Sequence, residues 1–309
     1  MANKVFIATK THPVLNSQLS SAGYICVSSN EASLLAIADE LVGIITSNNL
    51  EITADLIDQL PQLQWVGRLG SGMEIIDVEY ARAKGIACFS TPQGNANAVA
   101  EQALGMLLAL NHNILKSHLE VKAGIWERER NRGIELEGKT AGIIGYGNNG
   151  MAFAEKLRCM GVSVLAYDKY KSGFDEPGIQ SCQTIEPIWE QANILSFHVP
   201  LNAETYHYFN KSWLQKMQQP ITLLNLSRGS VVETEVVLTG MLSGKIVGAA
   251  LDVWEQEPLP MAPKEYKSTA DALLKLPNFI GTPHIAGYTY EALYKMSYML
   301  AEMILNGRG

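Results

Sequence analysis

The stretch GIIGYGNNG, Gly142 to Gly150, begins inside TAGII, a run that reads as a buried strand, and leads into one that reads as a helix. Gly145, Gly147 and Gly150 have the G-x-G-x-x-G spacing. In a strand–turn–helix setting the first such glycine turns the chain, the second lets backbone approach a pyrophosphate, and the third lets helix pack on strand. Alone, the spacing fits any compact strand-to-helix junction, so the surroundings decide. Asp168, in AYDKY, closes the next strand candidate 18 residues after Gly150. An acid there accepts both ribose hydroxyl hydrogens and repels a 2′-phosphate, so NAD is expected rather than NADP. The helix start at Asn148 and Asn149 would offer backbone N–H groups to the pyrophosphate. Asn149 departs from the usual pattern, in which an apolar residue packs inward at that place.

Working outward, strand candidates recur at 140–144, 162–167, 193–197, 222–226, 246–251 and 278–281, with helices between them, which makes one six-stranded dinucleotide-binding sheet. Before residue 97 a separate series (5–9, 24–27, 42–46, 65–68, 86–89) alternates with helix candidates EASLLAIADE and DVEYARAKG. Such alternation marks βαβ units around parallel sheets. A long amphipathic helix is expected from Asn97, its cap, to about His118, and a last helix from Tyr290 to about Leu305 that crosses back to the first lobe. EPLPMAP, 257–263, reads as a surface loop. The expected fold is α/β: two doubly wound parallel-sheet domains, Rossmann-like and flavodoxin-like, spanning 97–289 and 1–96 plus 290–309.

Bulk properties narrow the partner. The 309 residues suffice for two cores, and a net charge of −7 with scattered Lys and Arg gives no basic face for nucleic acid and no polybasic segment for a membrane. Apolar runs such as ALGMLLAL fall far short of the roughly 20 residues that span a bilayer. The four cysteines show no pairing pattern and the amino terminus does not read as a secretory signal, so a reducing cytoplasm and a small-molecule partner are expected. No metal spacing or G-x-S-x-G elbow occurs; His12, His112 and His118 read as solvated or packed, and Cys159 as core.

Three charged residues follow consecutive strand ends of the sheet that carries the glycine turn: Arg228 in NLSRGSVV, Glu257 in DVWEQEP and His284 in TPHIAGYT. Ligands of doubly wound sheets bind at that carboxyl edge. An arginine fork grips a carboxylate and polarises an adjoining carbonyl. A carbonyl that accepts hydride also needs a proton, which histidine supplies near neutral pH. A neighbouring carboxylate favours the imidazolium and fixes its tautomer. Singly each residue fits a solvated loop, but their joint placement points to hydride transfer at a 2-oxo or 2-hydroxy acid.

RLGSGMEIIDV (68–78), PQGNANAVAEQALGMLLAL (92–110), the glycine turn, AYDKY, SFHVPL (196–201), NLSRGSVV, GAALDVWEQEP and TPHIAG stand in the order of one family's blocks. From about Val42 to Thr289 the chain resembles the D-isomer-specific 2-hydroxyacid dehydrogenases. The resemblance implies that Arg228 holds the substrate carboxylate, His284 is the acid/base and Glu257 tunes it. It also implies that Ser71 and Gly72 face substrate and nicotinamide from a substrate-binding first lobe. Val199, Pro200, Leu226, Ser227, Asp252 and Gly287 line the nicotinamide side, with His198 as a cofactor wall. A cleft between the lobes and a homodimer built on the nucleotide domain come with it. Within the family, GIWERERNRGIELEGKT (124–140) and VGRLGSG look most like the phosphoglycerate-oxidising members. Arg68, with Arg128 or Arg130 of either subunit, could then meet a substrate phosphate, unless the 126–132 charges simply solvate a loop. Ser47 stands where those members often carry an arginine. Phosphoglycerate is thus the leading expected substrate, glyoxylate or hydroxypyruvate an alternative, and a non-catalytic NAD-sensing role on the same scaffold the rival from another class.

Overall fold

The computed structural model describes residues 3–31 and 33–307. The described chain forms two compact units, one made of the residues up to Ala96 and those from Tyr288 onward, the other of Asn97–Gly287. The first begins with β1 (Asn3–Ile7), α1 (Pro13–Ser21), β2 (Tyr24–Ser28), β3 (Leu41–Thr46), α2 (Ala54–Asp58), β4 (Trp65–Arg68), α3 (Val78–Ala83) and β5 (Ala87–Ser90). Helices α4 (Ala96–Asn111) and α5 (Ile114–Lys122) follow. Then come β6 (Thr140–Ile144), α6 (Asn148–Cys159), β7 (Ser163–Tyr167), β8 (Ile179–Cys182), α7 (Glu186–Gln191), β9 (Ile194–Phe197) and α8 (Lys211–Lys216). The last elements are β10 (Ile221–Asn225), α9 (Thr234–Leu242), β11 (Ile246–Leu251), α10 (Lys264–Leu274), β12 (Phe279–Gly281) and α11 (Tyr290–Leu305).

In the first unit five parallel strands lie in the order β2-β1-β3-β4-β5, the flavodoxin-like doubly wound arrangement. One face buries Phe6, Ile44, Val66 and Ile86 with Ile57 and Leu60. Helix α11 returns to this unit: a Cβ on Gly67 of β4 would lie 3.0 Å from Leu300, and Gln18 of α1 bonds Glu302. Leu300 is fully buried, a burial worth about 1.5–3 kcal/mol. EASLLAIADE forms only a 3-10 turn, Leu34–Glu40, because Leu34 alone is buried along it and Leu35 is exposed, leaving too little apolar contact to hold an α-helix.

The second unit holds seven parallel strands in the order β12-β11-β10-β9-β6-β7-β8. Counted from β6, this is the dinucleotide-binding order with one strand added, and its direction of winding reverses between β6 and β9. Successive residues feed opposite cores: Ile143, Ile194 and Leu224 pack with α4 and α6, whereas Ile144, Leu195 and Leu223 pack with α7, α8, α9 and α10. Six strands were expected here; the seventh, β8 (IQSC), is a short edge strand with polar Gln180 and Ser181 in its middle, so it carries no apolar period. The long helix expected from 97 to 118 is two helices, broken at Asn113, which takes a left-handed φ of +51°. Asn97 does not cap it but lies within α4, bonded to Glu101 and Lys156. Cys159, expected in the core, is exposed at the end of α6.

Candidate active site

The three glycines after β6 have three different physical reasons. Gly145 takes φ +92°, where a Cβ would also lie 2.6 Å from the His198 carbonyl oxygen. At Gly150 a Cβ would lie 2.0 Å from the Gly145 oxygen, so this glycine lets α6 close on β6. Gly147 has ordinary extended backbone, φ −85°, and a Cβ there would meet nothing within 4 Å. The protein itself does not require that glycine. What it leaves is open space over the amino terminus of the twelve-residue α6, the place at which backbone N–H groups receive a phosphate, and the site therefore fits a dinucleotide. Beside it, the Oδ1 of Asn149 is buried without a hydrogen-bond partner.

Asp168 closes β7 with its carboxylate fixed by backbone: Oδ2 accepts from Tyr146 N at 2.8 Å, and Oδ1 from Tyr170 and Lys171 N at 2.9 and 3.1 Å. About one of a carboxylate's four acceptor directions then remains for a ribose hydroxyl. Lys169 is paired with Glu204 at 2.5 Å. His198, next to the turn, bonds Ser196 Oγ through Nε2 at 2.9 Å, and its Nδ1 is buried without a partner. Burial pushes its pKa down to about 4, so the ring is neutral.

Arg228 follows β10 by three residues. Asn225, 1% exposed, ties this turn: its Nδ2 donates to the Arg228 carbonyl, and its Oδ1 accepts from the Ser227 N–H and hydroxyl. The Arg228 Nη1 donates to the Ser227 carbonyl at 2.7 Å. A Cβ on Gly229 would lie 1.9 Å from the Trp254 carbonyl oxygen, so only glycine lets the turn pack against the segment after β11.

That segment carries Glu257. Its Oε1 accepts from Trp254 N and its Oε2 meets His284 Nδ1, both at 2.8 Å. Burial pushes the carboxyl up, but the His284 hydrogen bond, the Trp254 N–H and the charges of His284 and Arg228 outweigh it and hold it below the usual carboxylate value. His284 stands at φ +57°, its N–H donating to the Asp252 carbonyl at 2.7 Å. Asp252, fully buried, accepts from Thr282 Oγ1, Ile285 N and Ala286 N, which pins the chain on both sides of His284. With Nδ1 committed to a carboxylate, Nε2 is the ring nitrogen left for proton exchange, on a side chain 36% exposed.

Of the other expected residues, Leu226 and Ser227 are buried at the end of β10, Val199 and Gly287 are half-buried, and Pro200 is exposed. In the first unit Gly72 is buried and Ser71 exposed. Arg68 is 7% exposed, its Nη1 on the Leu69 carbonyl and its Nη2 on Asn48 Oδ1, in space kept by Gly70. Arg128 and Arg130 are exposed at the 3-10 turn Glu129–Asn131. Sequence reasoning missed a second histidine–carboxylate contact, His207 Nε2 to Glu255 Oε2 at 2.6 Å. No short motif links these residues; only the adjacency of Glu255 to Glu257 could have pointed there.

Residues 104–286 match the model of the family described as D-isomer specific 2-hydroxyacid dehydrogenase, NAD binding domain. Over 276 residues the chain is 34% identical to a hydroxypyruvate reductase of Thermotoga maritima, covering 89% of this chain and 88% of that one. It is 34% identical over 263 residues to a D-3-phosphoglycerate dehydrogenase of Methanocaldococcus jannaschii, covering 84% of this chain but only 48% of that longer protein. Among solved structures, the TT0316 protein of Thermus thermophilus matches with a TM-score of 0.84 at 28% identity over 99% of this chain and 97% of that one. The D-lactate dehydrogenase of Aquifex aeolicus, solved with NAD and lactic acid, matches with a TM-score of 0.85 over 99% and 96%; at 24% identity this is a likeness of fold.

Proposed function

Because the chain belongs to the D-isomer-specific 2-hydroxyacid dehydrogenase family, we propose that Arg228, Glu257 and His284 form the machinery with which it works on a small 2-oxo acid. The protein is an NAD-dependent oxidoreductase of this family. Bound as NADH, the cofactor would supply the hydride that C2 of the 2-oxo acid receives, and bound as NAD it would accept the hydride of the 2-hydroxy acid in the reverse direction. Gly145, Gly147, Asn148, Asn149 and Gly150 would hold the pyrophosphate and Asp168 the ribose. His198, Val199, Pro200, Leu226, Ser227 and Gly287 would form walls, while Asp252 fixes the His284 loop.

Arg228 grips the carboxylate and favours negative charge on the adjoining carbonyl oxygen. Protonated His284 gives the Nε2 proton to that oxygen as the alcohol forms, and takes it back in oxidation. Ionised Glu257 offsets the imidazolium charge and holds the ring by Nδ1. The observation that carries this reading is the 2.8 Å Glu257–His284 contact, with Arg228 near enough to help keep Glu257 ionised.

The substrate we propose is a three-carbon acid of the hydroxypyruvate type. The buried Arg68 guanidinium already donates to Leu69 and Asn48 within its own unit, and Ser47 stands at about the place where the resemblance implies an arginine in phosphoglycerate-oxidising members, which favours the unphosphorylated acid. Phosphohydroxypyruvate, the leading expectation from the sequence, is the second reading and is supported by the phosphoglycerate dehydrogenase relative. NADH oxidation with the two acids at equal concentration decides: hydroxypyruvate should give the higher kcat/KM, and a strong preference for the phosphorylated acid would return the arginines to a phosphate site.

A second copy of the chain is the partner we propose for the face around α5. That helix buries none of its residues, leaving Ile114, Leu115, Leu119 and Val121 exposed, and Trp126 is 79% exposed beside them. Light scattering should return twice the 33.8 kDa of one chain. The compartment we propose is the reducing cytoplasm, on the cysteine spacing of the sequence.

A further inference from the structure

The Glu255 carboxylate joins three segments. Its Oε1 accepts the Thr234 N–H at 2.7 Å, and its Oε2 meets His207 Nε2 at 2.6 Å. Thr234 opens α9, directly after the Gly229–Val231 turn that Arg228 begins. Glu255 itself lies two residues before Glu257. His207, on the segment after β9, reaches the same turn through its backbone: its N–H donates to the Ser230 carbonyl at 2.7 Å, and Phe209 N–H to that of Val231 at 3.0 Å. The hydroxyl of Tyr266 closes the arrangement, accepting from Glu255 N at 3.0 Å and standing 3.1 Å from Thr234 Oγ1.

Two observations argue that this is more than a tie between loops. His207 is held at φ +47°, a conformation that non-glycine residues seldom adopt and that persists only where surrounding contacts fix it. And the contact that the pair braces is one with no slack, since Gly229 already touches the Trp254 carbonyl so closely that no Cβ would fit. One side of that contact carries Arg228 and the other carries Glu257 with His284.

We infer that Glu255 and His207 are positioning residues for the reaction: together they fix the separation between the arginine that holds the substrate carboxylate and the histidine that moves the proton. The inference rests on the roles proposed above for Arg228, Glu257 and His284. Neither residue touches substrate; both act through the Arg228 turn. Such placement matters because displacing a catalytic group by about 1 Å can cost on the order of a hundredfold in rate.

The test uses the holoenzyme with NADH and hydroxypyruvate. Glu255→Ala should lower kcat/KM by about 10- to 100-fold, with KM rising and kcat falling together, while the affinity for NADH, read by fluorescence, stays as it was. Glu255→Gln should recover most of the loss, because its amide oxygen still accepts the Thr234 N–H and its amide N–H can donate to His207. His207→Gly removes the ring while keeping the backbone, since glycine adopts positive φ without strain, and should lower kcat/KM in the same direction by a smaller factor. It decides alone if Glu255→Ala does not fold. Unchanged kcat/KM in Glu255→Ala or His207→Gly, whatever the melting temperature, overturns the inference and leaves a structural tie. His284→Ala separates this from failure of the underlying roles. If that variant keeps turnover, the roles themselves are wrong; if it is inactive while Glu255→Ala is normal, only the positioning inference falls.

Discussion

His198 and His284 follow strands β9 and β12 of one parallel sheet, and their chemistry is opposite. His198 has a hydroxyl for a partner, Ser196 at 2.9 Å, and burial keeps the ring neutral with a pKa pushed down to about 4. His284 has a carboxylate for a partner, Glu257 at 2.8 Å, on a side chain 36% exposed. Standing at the carboxyl edge of a doubly wound sheet brings a histidine near a ligand, but the charge of its partner and its access to solvent decide whether it can carry a proton. In the function proposed above, one histidine is wall and the other acid.

The hardest test of that contrast is to delete the acid. His284→Ala should lower kcat by about 10²- to 10⁴-fold, the usual worth of a positioned acid/base, while NADH still binds. Stopped-flow turnover with a parallel NADH titration measures both, and a folded variant that loses binding and turnover equally would make His284 a wall like His198.

Changing the partner instead of the ring sharpens the contrast with a smaller effect. Glu257→Gln keeps shape but removes charge, and a charge-assisted hydrogen bond is worth about 1.5–3 kcal/mol, so kcat should fall by about 10- to 150-fold. The stability consequence has a definite sign. The folded Glu257 carboxyl titrates below its ordinary 4.5, so its contribution is fully present above that pH and is lost as the pH falls through the lower folded value. Urea unfolding of wild type and variant should therefore converge as the pH falls below 4.5.

Much of this was legible in the chain. The glycine turn, Asp168 and the recurring apolar runs gave away a dinucleotide-binding sheet because its central strands β9 and β10 are buried on both faces, as parallel strands inside a sheet must be. Tyr290–Leu305 was readable as a helix because its apolar face repeats at helical spacing, down to the fully buried Leu300. What escaped notice lacked a period or lay far apart in sequence. Strand β8 is a polar edge of four residues, and the break at Asn113 depends on a left-handed backbone inside an otherwise helical pattern. Arg228, Glu257 and His284 stood out as candidates because each lies a few residues beyond a strand end. The bracing Asn225 and Glu255 act through backbone groups that no side-chain pattern announces, and Asp252, expected along the nicotinamide side, is fully buried and braces the His284 loop instead.

The finest cut at the comparison titrates the wall itself. Unfolded, His198 takes up its proton near the ordinary 6.5; folded, only near 4. Between those values the unfolded chain binds a proton that the native protein refuses, so native stability declines as the pH is lowered, by up to about 1.4 kcal/mol per pH unit. Above 6.5 the two states carry the same charge at this position and the effect is absent. His198→Gln can still bond Ser196 but cannot titrate. Its unfolding free energy should run parallel to that of wild type from pH 8 down to 6.5 and then fall less steeply toward 4. Curves that stay parallel through the whole range would mean that His198 protonates in the native state, as the proposed mechanism asks of His284. The distinction between wall and acid would then rest on the carboxylate alone, with burial contributing nothing.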